Sequence, residues 1–128
     1  MSRWLPQIVL WISALGFGYF GVVFLLDPAG YASKVDLVAA TPSARAEVRA
    51  MYGGLELALA VFLATCAQRP EWWRLGLLLS AVAFLGLGTG RAVGLALEGV
   101  APPFMRLLLA SEVVLAALAL WAMRVTPR

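Results

Sequence analysis

The stretch LPQIVLWISALGFGYFGVVFLL, residues 5–26, carries no charged side chain over 22 positions. A hydrocarbon core of roughly 30 Å needs about 17 to 25 predominantly apolar residues wound as a helix. The stretch is therefore read as a bilayer span. Three more runs follow: Ala50 to Ala67 holds only Glu56, Leu75 to Leu97 only Arg91, and Leu107 to Met123 only Glu112. The 128 residues are 62% hydrophobic and 13% charged, with a mean hydropathy of +0.89, against about 25% charged in soluble domains. The expected fold is all-α: an integral membrane antiparallel four-helix bundle, one domain with spans about 5–26, 44–67, 75–97 and 104–123. An eight-stranded barrel would alternate apolar and polar positions, whereas these runs are continuous.

The first run also invites a signal-peptide reading, since Met1-Ser2-Arg3 is a basic start and Gly30-Tyr31-Ala32 resembles a small-residue cleavage site. At 22 residues it exceeds an h-region of about 7 to 15, so a retained helix is expected. One cysteine, Cys66, leaves no internal disulfide, and the absence of histidine removes the commonest ligand of haem and zinc. No metal and no cofactor is expected. A net charge of +3 reports topology in such a chain rather than nucleic-acid binding.

Four spans with short connections put both ends on one side. Arg3, Arg69, Arg74, Arg124 and Arg128 share that side, against Lys34, Arg45 and Arg106 on the other. This bias favours cytoplasmic termini, hence a multi-pass protein of the bacterial inner membrane. Trp4, Trp72, Trp73 and Trp121 fall at the same face, where indoles straddle the interface; Trp11 sits deeper. The first connection, DPAGYASKVDLVAAT over residues 27–41, opens on an Asp-Pro turn signal and has apolar residues enough for a short surface helix. Thr41 then reads as an N-cap, with Pro42 at the first helical position.

Glycines indicate where helices meet. Gly86, Gly90 and Gly94 form a tandem GxxxG stripe in the third span, Gly16, Gly18 and Gly21 punctuate the first, and Gly53 and Gly54 open the second. Small residues let backbones approach where no hydrophobic effect drives helices together. Packing within the chain is the first expectation, and a homodimer face the second.

The charges inside the spans are the candidate site. An ion near the bilayer centre costs roughly 2.5 to 3.5 kcal/mol on the translocon scale. At 1.5 Å rise per residue, Arg49 lies about 10 Å into its helix, Glu56 about 10 Å deeper, Arg91 about 9 Å from the outer end of its span and Glu112 about 8 Å into the fourth. Arg49, Tyr52 and Glu56, spaced by three and four, present guanidinium, phenol and carboxylate on one face. With Arg91 and Glu112 they make a balanced set expected to converge in the outer half. Tyr52 reads equally as an interfacial tyrosine. Glu47 faces the interface, and Glu98 and Arg106 read as snorkelling charges at the outer mouth.

On EVRAMYGGLE (47–56), GTGRAVG (88–94) and ASEVVL (110–115), the sequence resembles a family of small four-helix bacterial membrane proteins catalogued as a domain of unknown function. Glu47, Arg49, Tyr52, Gly53, Gly54, Gly90, Arg91 and Glu112 stand at its motif positions. More loosely, the span number and polar helix interiors look similar to the DoxX-like group. The resemblance implies a fold and a recurring polar cluster but no activity. From the residues alone, two uses stand open. Arg49 and Arg91 would contact the polar group of a lipid-like or small amphipathic ligand, steadied by Glu56 and Glu112. Alternatively the ions are a fixed clasp in an accessory subunit of a larger membrane complex. An enzyme or proton-coupled carrier finds less support, since no nucleophile, metal set or cofactor motif points to an enzyme and four spans without a repeat make a poor alternating-access carrier.

Overall fold

A computed structural model describes residues 4–126. All regular structure among them is helical: α1 (Leu5–Leu26), α2 (Pro28–Ser33), α3 (Pro42–Val48), a π-helical turn (Arg49–Gly54), α4 (Leu55–Ala67), a 3-10 turn (Pro70–Trp72), α5 (Trp73–Glu98) and α6 (Pro103–Val125). Four stretches are long and apolar enough to cross a membrane: Leu5–Leu26, Pro42–Ala67, Pro70–Glu98 and Pro103–Val125, of 22, 26, 29 and 23 residues. The Arg3 and Arg128 contributions to the charge bias lie outside the described residues.

Local chemistry sets the helix boundaries. Asp27 accepts the Gly30 amide at 3.0 Å and Pro28 opens α2, the short helix expected in the first connection. That helix ends in a Schellman pattern: the Leu37 amide donates to the Ala32 carbonyl at 3.0 Å, with Asp36 between them at φ 58°. Thr41 caps α3 through Oγ1, accepting the Ala44 amide at 3.1 Å, with Pro42 next, as the sequence predicts. At the far end of α5, Gly99 takes φ 65° and the Val100 amide reaches the Leu95 carbonyl at 3.3 Å; a left-handed residue costs glycine nothing.

The chain divides into two compact units, Met1–Trp11 with Cys66–Arg128, and Ile12–Thr65. In the second, α1 and α4 run antiparallel in glycine contact. A Cβ at Gly18 would lie 3.5 Å from that of Ala60, and one at Gly21 would lie 2.8 Å from the Leu57 amide nitrogen and 3.1 Å from the Gly53 carbonyl oxygen. One at Gly53 would meet the Leu25 side chain at 2.8 Å. The connection folds back over this end as a small cluster, with Phe24, Ala32, Ala39 and Val48 buried and Tyr31 packed against them.

In the first unit α5 and α6 form an antiparallel hairpin. Arg74 near the start of α5 donates through Nη1 to the Met123 and Thr126 carbonyls, both at 3.1 Å, while Gly88 further along faces Glu112. Small groups fill the interior: Cys66, Ala67, Ser80, Ala119 and Ala122 are fully buried with Leu10 and Leu77. Gly76 is enclosed there, since its Cβ would meet Cys66 Cβ at 2.6 Å and Leu10 Cδ2 at 2.8 Å.

The glycine reading needs correction at four positions. A Cβ at Gly86, Gly90 or Gly94 would have nothing within 4 Å, and at Gly54 it would meet only the Arg49 carbonyl oxygen at 3.7 Å. All four residues are exposed. The reason is angular. The α6-facing side of α5 carries Gly88, two residues from Gly86, and about 100° per residue at 3.6 residues per turn turns the GxxxG stripe away from that contact.

Candidate functional site

Arg91 lies on α5 one turn beyond Gly88. The missing side chain there lets α6 close in: a Cβ at Gly88 would stand 3.5 Å from Glu112 Cβ, an ordinary contact. Across this gap the guanidinium grips the carboxylate. Arg91 Nη2 donates to Glu112 Oε1 at 2.7 Å, and Nε donates to Oε1 and Oε2 at 3.1 and 3.0 Å. Nη1 donates to Met105 Sδ at 3.2 Å. The Glu112 side chain is 7% exposed and that of Arg91 22%. Two-pronged pairing of this kind is about twice as strong as neutral hydrogen bonding, and it joins two ions into one neutral group before either meets lipid.

Arg49, Tyr52 and Glu56 belong to the other unit. Arg49 is exposed, and its Nε donates to the Leu25 carbonyl at 3.0 Å. That carbonyl is in the last turn of α1, whose final four C=O groups have no partner within the helix, and a cation there also suits the partial negative charge of the helix end. Arg49 thus caps α1. Tyr52 lays its ring against Phe24, centroids 5.3 Å apart and planes at 33°. Glu56 is half-buried early in α4.

The regular α-helical spacing from which the ladder is expected does not run through all three residues. Arg49–Gly54 is a π turn, closed by the Leu55 amide bonding to the Ala50 carbonyl five residues back. A wider turn advances by a smaller angle per residue, so Arg49 and Tyr52, three apart, are turned further from one another than in an α-helix. Single π turns inside α-helices are rare and frequently occur at functional sites; here the turn coincides with the RAMYGG motif. Glu47, Glu98 and Arg106 are all exposed, Glu98 as the last residue of α5.

Three participants escaped the sequence reading. Met105 carries no sequence signal as an acceptor, because its part depends on where α6 starts relative to Arg91. Gly76 and Gly88 stand outside any GxxxG pair with the stripe. Regular spacing drew attention to the glycines that face outward.

Four long apolar helices and an ion pair between two of them define a multi-pass helical membrane protein. The chain belongs to the family described as Domain of unknown function (DUF4345), which matches residues 5–123. No curated protein and no solved structure matches it.

Proposed function

We propose that this protein binds a lipid-like or small amphipathic ligand through Arg91, with Glu112 as its holder. The observation that carries this is the exposure pattern around the pair. From Leu85 to Val100, Gly88 is the sole buried residue, and Arg91 keeps about a fifth of its side chain open beside Gly86, Gly90 and Gly94. Glu112 occupies the Nε–Nη2 edge of the guanidinium. The fork is thereby fixed in orientation, and its Nη1 side carries only the weak thioether acceptor of Met105. A carboxylate or phosphate oxygen is a stronger acceptor than sulfur and fits that side. An acyl or alkyl chain would lie along the bare glycines. Mass spectrometry of gently purified protein tests this: wild type should retain a small amphiphile that Arg91→Ala loses. Absence of any retained molecule, with no affinity change in the variant, overturns it.

A second reading rests on the same glycines. A tandem GxxxG face whose Cβ positions have nothing within 4 Å among the described residues suits a partner helix, supplied by a second copy or by a larger membrane complex for which this chain is an accessory subunit. Gly90→Leu should then break co-purification or dimerisation, whereas Arg91→Ala should leave both intact. For topology, Arg69, Arg74 and Arg124 support cytoplasmic termini.

A further inference from the structure

At the end of the α5–α6 hairpin remote from Arg91 there is an open cavity of about 390 Å³, lined by Arg74, Leu120, Met123, Arg124 and Thr126. We propose that it is a phosphate site that receives the headgroup of an anionic phospholipid. Three observations converge on this chemistry.

The first is charge. Among the described residues two arginines line the cavity and no carboxylate does. The opposing influence is the C-terminus of α6, equivalent to about half a negative charge. Arg74 blunts it, because Nη1 takes both the Met123 and the Thr126 carbonyl. Those bonds use one nitrogen, and Nε and Nη2 have no part in the cap. Arg124, in the last turn of α6, is exposed. Two guanidinium groups against half a charge make the described lining positive on balance.

The second is the wall. Leu120 is exposed and stands one turn before Arg124 on α6, so an apolar strip runs from the cavity along the helix. A free inorganic ion has no use for it, whereas an acyl chain does. At this volume the cavity holds a headgroup and not a whole lipid, which fits a ligand whose remainder lies outside.

The third is depth. Trp121 on α6 and Trp72 just before α5 are both exposed, and Arg69 stacks on the Trp72 ring at 4.6 Å. Exposed indoles mark the headgroup level of a bilayer, and basic pockets between helices at that level suit anionic headgroups.

The test is native mass spectrometry of the full chain in mild detergent, doped with equal amounts of phosphatidylglycerol and phosphatidylcholine. Wild type should hold phosphatidylglycerol in preference. Arg124→Gln should cut that preference about fivefold, the weight of one basic residue near an anionic surface. Arg124 makes no capping bond, so the variant should fold as wild type. Arg106→Gln, roughly 27 Å away along α6, removes the same charge and should change nothing. Millimolar inorganic phosphate distinguishes the sources. Displacement of the lipid shows that the site reads phosphate alone, and resistance shows that the chain along Leu120 is also read. Equal retention of both lipids by wild type overturns the proposal, as does an unchanged preference in Arg124→Gln or an equal loss in Arg106→Gln.

Discussion

Arg91 and Glu112 meet fork to carboxylate between α5 and α6, with Nη2 2.7 Å from Oε1. Alone, either ion would cost roughly 2.5 to 3.5 kcal/mol near the middle of a bilayer. Together they are one neutral, hydrogen-bonded unit that fixes how far α6 slides along α5.

Removing one partner strands the other. Glu112→Ala should lower stability by about 3 to 5 kcal/mol, the usual cost of an uncompensated buried charge, read by denaturant unfolding in micelles. The double variant Arg91→Met with Glu112→Leu should lose much less, because neither ion remains. Equal losses in the single and double variants would show that packing, and not charge, dominates the pair.

Arg49 holds the end of α1 through one exposed charge-assisted bond. Arg49→Ala should cost about 1 kcal/mol and speed hydrogen exchange of amides near Leu25 and Asp27. Unchanged exchange there would remove the capping role.

Glycines in the second unit divide by what a methyl group would strike. Gly21→Ala would drive a carbon into the Leu57 amide nitrogen and the Gly53 carbonyl oxygen, backbone atoms that cannot step aside. A loss of about 1 to 3 kcal/mol is expected. Gly54→Ala meets one atom at van der Waals distance and should be neutral or slightly stabilising. Thermal melts of the two variants should separate clearly.

Asp36 is left-handed at φ 58°, a conformation that aspartate tolerates and β-branched residues do not. Asp36→Val should cost about 1 to 2 kcal/mol and loosen the α2 connection, while Asp36→Gly should be near neutral. Limited proteolysis between Ser33 and Thr41 would report both.

The span count and the start of α3 were readable in the sequence, because long uncharged runs and the Thr41-Pro42 cap each depend only on neighbouring residues. The candidate ions were equally plain, since charges in apolar runs are few. Which side of a helix each group takes was not. That depends on backbone winding and on the phase of one helix against the next, neither of which residue spacing encodes. The Gly86–Gly90–Gly94 stripe illustrates this, as does Met105, whose role depends on the offset between α5 and α6.

The π turn at Arg49–Gly54 has a practical bearing. One surplus residue in a single turn shifts everything upstream of it by about 100° relative to α4. A helical wheel drawn straight through Pro42–Ala67 assigns α3 side chains the wrong bearing. Cysteine cross-links or spin labels aimed at this helix must therefore be laid out on two wheels, with the second beginning at Leu55.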